Sequence, residues 1–115
     1  MDQSVPPIPN QWRTKVAALL RGGKPESVLI KQRARRDWAS LPFSPFDYEL
    51  REALAVALDD PQVRGKRHQM DEPGETYAFL FNYQSTRIYT KVNLTSADNV
   101  VIVYSAHRPL KGEDL

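Results

Sequence analysis

The chain has 115 residues, of which 41% are hydrophobic and 26% charged, with a formal net charge of +2 at pH 7. This length and composition predict one globular domain with a modest core. The absence of cysteine excludes disulfides, thiolate catalysis and cysteine-ligated metal sites. No apolar run reaches the roughly eighteen residues of a membrane span. The polar, proline-rich start lacks the apolar core of a secretion signal, so we expect a cytoplasmic protein.

The charge is unevenly distributed along the chain. Residues 1–40 hold eight Lys or Arg against three Asp or Glu, residues 41–75 hold four against eight, and residues 76–115 hold four against three. The net charges of the three parts are therefore +5, −4 and +1. A basic first third suits contact with a phosphate backbone or an acidic partner, although a solvated helix face would look the same.

The first half of the chain is predicted to be helical. Residues 1–9 form an extended arm because of their prolines, and Asn10 is placed to cap a helix over 11–21. Two glycines at 22–23 end that helix. Residues 26–40 mix β-branched residues with a run of helix-favouring basic residues, and we predict helix there.

A further amphipathic helix is predicted over 45–58, which completes a helical part spanning 10–58. Ser44 supplies a capping hydroxyl, a proline follows it, and Asp47 lies three residues after the cap. The expected apolar stripe recurs every fourth residue and consists of Phe46, Leu50, Leu54 and Leu58. Residues 59–75 are predicted to be a long polar loop with a basic segment at 64–68, and loops of this length are often functional.

Three antiparallel strands are predicted at 76–83, 86–94 and 100–107, within a meander spanning 76–108. A two-residue turn at 84–85 fixes the first hairpin, and side-chain alternation fixes the second. One face of this sheet is apolar and must be covered by the helices. The sequence therefore predicts a single α+β domain over 1–115, with N-terminal helices on one face of an antiparallel sheet of three or four strands.

The other face, called the outer face below, is predicted to be polar. In the expected register Arg87 lies opposite His107 and Tyr89 lies opposite Ser105, about 5 Å apart. A half-exposed antiparallel sheet also shows polar residues to water without any function. The clustering of cations, an aromatic ring, a hydroxyl and an imidazole, with no carboxylate, nevertheless suits a phosphate ligand. It argues against a divalent metal site, which would want carboxylates, so no metal and no cofactor is expected.

Metal-free cleavage of RNA needs a base for the 2′-hydroxyl proton, an acid for the departing 5′-oxygen, and cations for the phosphorane charge. Histidine serves either proton role near neutral pH. His107 in the last strand and His68 in the basic loop are the candidate acid and base, and they flank one phosphate if the loop folds over the sheet. Lys91 and Ser105 complete the candidate catalytic set.

Four further side chains are expected to bind RNA phosphates or to stack on bases: Arg87, Tyr89, Arg108 and Arg67. Alternation turns Arg108 towards the helices unless the last strand has already ended there.

Three short motifs carry a resemblance to known proteins: Gly-Glu-Thr-Tyr at 74–77, Tyr-Thr-Lys at 89–91 and Ser-Ala-His at 105–107. They resemble a pattern in small bacterial proteins that are similar to the BECR-type nuclease superfamily, which groups barnase, EndoU, colicin D and the RelE-type toxins. The resemblance covers residues 74–110 and, before them, only the order of elements. It implies helices packed on an antiparallel sheet with the active site on the other face.

Carried over residue by residue, the resemblance implies that Lys91, Ser105 and His107 are active-site positions, with Arg108 a weaker candidate. A stand-alone toxin also implies a cognate antitoxin whose acidic segment covers the basic face. The sequence thus predicts a metal-independent endoribonuclease of the bacterial toxin type, forming a 2′,3′-cyclic phosphate. Two alternatives stay open, namely a non-catalytic nucleic-acid-binding module and a protein-interaction or inhibitor domain.

Overall fold

The computed structural model describes residues 7–43 and 45–113. Within these ranges the chain forms three helices and five strands, with a 3-10 turn between the first helix and the first strand. The elements in chain order are α1 Asn10–Arg21, the turn Pro25–Ser27, β1 Val28–Ile30, α2 Gln32–Ala39, α3 Asp47–Asp59, β2 Gly65–His68, β3 Gly74–Tyr83, β4 Thr86–Thr95 and β5 Val101–His107. None of the helices in these ranges is both long and apolar enough to cross a membrane.

The five strands form one mixed sheet in the order β1-β5-β4-β3-β2. The predicted meander is its centre, and β1 and β2 are edge strands that the sequence did not predict. β1 runs parallel to β5, whereas every other neighbouring pair is antiparallel. The α+β class with helices on one face is therefore confirmed, but the all-antiparallel sheet of three or four strands is corrected to a mixed sheet of five.

The predictions for 10–40 were right in part. α1 ends at the predicted glycines and buries Trp12, Val16 and Leu20, but Asn10 lies inside the helix and forms no cap. The segment 26–40 is not one helix, because its β-branched residues form β1 and only its basic part forms α2. β1 forms because it can pair with β5, a long-range contact that local propensity does not report.

The amphipathic helix α3 begins two residues later than predicted. Ser44, the predicted cap, lies outside the described residues. Glu49 rather than Asp47 is the capping carboxylate, since its Oε1 accepts a hydrogen bond from the Phe46 backbone N–H at 2.9 Å. Phe46 is 66% exposed and does not belong to the apolar stripe, which consists of Leu50, Leu54 and Leu58.

The core lies between the three helices and one face of the sheet. Trp38 of α2, Leu54 of α3 and Phe79 of β3 are fully buried in it. The Trp38 indole N–H donates to the Phe46 carbonyl at 2.9 Å, so the ring is buried without an unsatisfied donor.

A buried arginine joins α1 to the chain on either side of it. The guanidinium and Nε groups of Arg13, which is 7% exposed, donate to the backbone carbonyls of Ile8, Leu58, Asp60 and Val63. These bonds fix the end of α3 and the approach to β2 against α1. The predicted polar loop over 59–75 is consequently not structureless, because β2 forms within it and pairs with β3.

Candidate active site on the outer face of the sheet

A β-bulge in β5 decides which side chains reach the outer face. Val92 pairs with Val103, but the next residue of β4, Lys91, pairs with Ser105, so Tyr104 is an extra residue in β5. Before the bulge, Val101 and Val103 point to the helices. After it, Ser105 and His107 point outwards as predicted, because the extra residue reverses the alternation.

The predicted pairs across β4 and β5 were therefore wrong. Lys91, not Tyr89, lies opposite Ser105, and Tyr89, not Arg87, lies opposite His107. Directly opposite side chains on one face are about 5 Å apart and diagonal neighbours roughly 7–8 Å apart. His107 and Lys91 are diagonal neighbours on the outer face.

His107 is held in one orientation. Its ring stacks on Tyr89, with 5.7 Å between the ring centroids and an interplanar angle of 28°. Its Nδ1 lies 2.7 Å from the Arg108 carbonyl oxygen and 3.8 Å from Oε1 of Glu113. A carbonyl oxygen can only accept, so Nδ1 carries the hydrogen and Nε2 is the basic nitrogen of the neutral ring.

Lys91 is half-buried in the middle of β4. The row of side chains that crosses the sheet at this position runs from Lys66 on β2 through the small Ala78 on β3 to Lys91 and then Ser105 on β5. Between the two lysines lies Ala78, which carries only a methyl group and is fully buried. This row places two ammonium groups and a hydroxyl on the same face of the sheet.

His68 lies next to this row, at the end of β2. Burial, and then the positive charges of Lys91 and Lys66, lower the pKa of His68 from its usual 6.5. The imidazole of His68 is therefore neutral at pH 7 and able to accept a proton.

The outer face is less open than the sequence predicted, because residues 69–73 fold across it. The hydroxyl of Tyr104, the bulge residue, donates to Oε1 of Glu72 at 2.6 Å, and Nζ of Lys31 lies 3.1 Å from Oε2 of Glu72. Both contacts lower the pKa of Glu72. Hence a carboxylate that the sequence analysis did not place on this face holds a covering segment there.

The approach of this segment to the sheet depends on Gly74, the first residue of the Gly-Glu-Thr-Tyr motif. Its φ is +139°, and a Cβ at this position would lie 2.6 Å from Oδ1 of Asn93 and would overlap the Leu94 carbonyl oxygen. Asn93 is fully buried, accepts a hydrogen bond from Thr76 at 2.8 Å and donates to the Pro73 carbonyl at 3.4 Å. Gly74 of this motif therefore allows the segment 69–73 to lie close against the outer face.

Some of the predicted site residues do not join the cluster. Tyr89 is 4% exposed and stacked on His107, so its ring is not available to a base and instead supports the imidazole. Arg87 lies near the hairpin turn, 3.5 Å from the Asn82 side chain. Arg67 points to the helix side of the sheet, over Tyr77 and 3.8 Å from Glu75.

The two histidines are too far apart to act on one phosphate. His68 is on β2 and His107 on β5, three strands apart in the sheet. Across the sheet His68 is level with Asn93 of β4 and His107 with Tyr89, four residues away along that strand. These offsets amount to about 14 Å across the sheet and about 13 Å along the strands, or roughly 19 Å in all. The expectation that they flank one phosphate is therefore corrected. In the strand register Lys91 lies between them, with its backbone nearer to His107, and its positive charge acts on His68.

Arg108 is exposed, because β5 ends at His107. It lies beside Arg33 and Arg36 of α2, which the sequence analysis did not select as site residues. The sequence showed them only as part of the basic run within 26–40, a segment that also contains β-branched residues.

No three His, Asp or Glu side chains gather as a metal would require in the part of the chain that the structure describes. Comparisons of the chain with protein-family models, with curated proteins and with solved structures give no match.

Proposed function

We propose that this chain is a metal-independent endoribonuclease of the bacterial toxin type, acting in the cytoplasm. The observation that carries the proposal is the fixed imidazole of His107, whose protonated Nδ1 is bound by the Arg108 carbonyl and whose ring rests on Tyr89. In the strand register, Lys91 is the diagonal neighbour of His107 on the same face of the sheet. A base and a cation at such spacing are the parts that cleavage through the 2′-hydroxyl requires.

In the proposed reaction Nε2 of His107 takes the proton from the ribose 2′-hydroxyl. The 2′-oxygen attacks the adjacent phosphorus, and the bond from phosphorus to the 5′-oxygen breaks. The Lys91 ammonium stabilises the phosphorane charge and gives its proton to the leaving 5′-oxygen. The products are a 2′,3′-cyclic phosphate and a 5′-hydroxyl, and exchange with water restores both protonation states.

The other members of the row assist this step. The Ser105 hydroxyl, opposite Lys91, donates to a non-bridging phosphate oxygen, and Lys66 adds a second positive charge. His68, neutral at pH 7 because of its lowered pKa, positions the neighbouring nucleotide. In this proposal the covering segment 69–73 moves aside when RNA binds. A cognate antitoxin with an acidic segment would occupy the same face.

The test is induced expression in a bacterial host of the wild type and of four variants: His107→Ala, Lys91→Ala, His68→Ala and Lys15→Ala. Wild type should arrest growth and fragment cellular RNA. His107→Ala and Lys91→Ala should each reduce cleavage roughly 100-fold or more. His68→Ala should have a smaller effect, and Lys15→Ala, a matched change of an exposed lysine on α1, should have none.

Full toxicity in both His107→Ala and Lys91→Ala would contradict the proposal. RNA binding without any cleavage by the wild type would favour the non-catalytic binding module. Absence of both would favour the interaction or inhibitor domain.

A further inference from the structure

A second cationic feature lies at the edge of the sheet, between α2 and the chain that follows β5. It is a cleft of about 570 Å³, within the range of roughly 300–1,000 Å³ typical of ligand sites. Its lining includes Arg33, Arg36, Leu41, His107, Arg108 and Leu110. His107 thus belongs both to this cleft and to the proposed active site.

The cleft has an excess of positive charge. Three arginines and one aspartate, Asp37, leave a net charge of +2 on its walls. Arg33 lies 3.9 Å from Asp37 but is 70% exposed. In the described part of the chain, the side chains of Arg36 and Arg108 form no ion pair. Their guanidinium groups are exposed and are able to bind an anion.

Other arginines on the surface are arranged differently. Arg21 pairs with Asp59, Arg35 with Asp47 at 2.7 Å, and Arg67 approaches Glu75. Arg35 is on the same helix as the cleft arginines but on the side towards α3. Neighbours three residues apart on a helix share a face, with about 5–6 Å between their Cβ atoms. The spacing of Arg33 and Arg36 therefore presents two guanidinium groups to the same side of the cleft.

The cleft also has an apolar wall. Leu41 is buried behind it, Pro42 lines it, and Leu110 is 57% exposed at its rim. A ligand that matches both walls carries anionic groups and flat apolar surfaces in alternation. An unpaired nucleotide does so, because its base is free to leave the stack and contact protein while its phosphate is held by arginine.

We infer that this cleft binds the phosphodiester backbone of single-stranded RNA next to the bond that is cleaved, and so directs the strand to His107. The inference rests on the proposed function for the identity of the ligand as RNA. The phosphates run along Arg33 and Arg36, Arg108 holds the phosphate nearest the active site, and one base lies against Leu110. His107 is the point at which this path meets the outer face.

Binding is measured by fluorescence anisotropy with a short labelled 2′-O-methyl oligonucleotide. This probe has no free 2′-hydroxyl, so its binding is measured whether or not the protein cleaves RNA. The variant Arg33→Gln/Arg36→Gln is compared with Lys15→Gln/Lys24→Gln, which makes the same charge change at two exposed lysines away from the cleft. Cleavage of unmodified RNA is followed separately.

The cleft variant should bind the probe at least about fivefold more weakly, and the slope of log affinity against log salt should fall by roughly 1.4 for two lost phosphate contacts on a single strand. The lysine variant should bind like the wild type. Arg108→Gln should weaken binding in the same direction.

Equal binding by the cleft variant and the wild type would overturn the inference. Equal losses in the cleft and lysine variants would also overturn it, because binding would then follow net charge alone. Cleavage of RNA with unchanged affinity in the cleft variant would leave the proposed function standing and reject only the cleft. If the probe binds through the cleft but RNA is not cleaved, the proposed nuclease activity is rejected and the proposed RNA-binding cleft is retained. Binding of poly-glutamate but not of the oligonucleotide would assign the cleft to an acidic protein.

Discussion

The helix-covered face of the sheet is sealed by apolar side chains from three helices, whereas the outer face is covered by two short segments of chain. The segment 69–73 is held by Glu72 and by Asn93, and the turn after β5 brings Glu113 to His107. The first cover depends on buried apolar area and the second on a few polar contacts. Changes to the two faces should therefore have separable effects, on stability for the first and on the site for the second.

The largest effect is expected at the centre of the helix-covered face. Phe79→Ala removes a fully buried ring and should lower the free energy of unfolding by about 3–5 kcal/mol. Lys91→Ala, in the neighbouring strand but on the outer face, should change it by no more than about 0.5 kcal/mol. Urea denaturation followed by tryptophan fluorescence measures both. Similar losses in the two variants would show that the faces are not energetically distinct.

A smaller loss is expected where the outer cover meets the sheet. Gly74→Ala places a Cβ against the Leu94 carbonyl and Asn93 at a positive φ, and should cost about 1–3 kcal/mol. Gly23→Ala is the matched control, since its φ is also positive at +76° but nothing lies within 4 Å of an added Cβ. The crowding account requires the loss at Gly74 to be the larger of the two. Equal losses in the two variants would mean that the positive φ alone, and not crowding by Leu94 and Asn93, causes the loss of stability.

The pH dependence of stability should report on His68. Its pKa in the folded chain lies below 6.5, so the unfolded chain binds a proton that the folded chain does not. Stability should therefore fall as pH is lowered through about 6.5 towards the folded pKa. The thermal midpoint of His68→Gln should fall less between about pH 7 and pH 5. If His68→Gln lost as much stability as the wild type over this pH range, the assignment to His68 would be contradicted.

The smallest global effect is expected at Glu72. Glu72→Ala removes both the Tyr104 and the Lys31 contact, which are only partly buried. The side chains of the Lys31–Glu72 pair are more than a third exposed, so the midpoint of unfolding should move little. The amides of residues 69–73 should exchange with solvent several-fold faster, because the covering segment opens more often. Tyr104→Phe should reproduce part of this increase. Unchanged exchange in both variants would mean that these contacts do not hold the cover.

Local pattern predicted some elements and not others. The stripe of Leu50, Leu54 and Leu58, and the alternation in β3 and β4, report burial directly, and the register of Phe81 with Ile88 follows from a two-residue turn. Gln84 and Ser85 both have positive φ, as that turn requires. β1 was missed because it is short and gains its hydrogen bonds only from the distant strand β5. β2 was missed because its four residues carry no apolar alternation, although its partner β3 is the next strand in the chain.

The site was predicted less completely than the fold, because the bulge at Tyr104 cannot be read from alternation. In a strand with an extra residue, side chains alternate between the two faces before and after the bulge, but the alternation shifts by one residue at the bulge. Lys91, Ser105 and His107 point to the outer face as predicted, but the predicted pairs across β4 and β5 were wrong. Glu72 was missed because it lies in a loop, where no periodic pattern predicts the direction of a side chain. Arg36 was missed because nothing in the sequence distinguishes it from the neighbouring arginines.

The central claim is that His107 and Lys91 together cleave RNA, and it is tested most directly with the purified protein, an end-labelled RNA and a chelator in the buffer. The account predicts fragments that end in 2′,3′-cyclic phosphate and begin with 5′-hydroxyl, and their loss by roughly 100-fold or more in His107→Ala. The folded state of that variant should be unchanged by circular dichroism. Intact RNA with the wild type, or equal cleavage by His107→Ala, would contradict it.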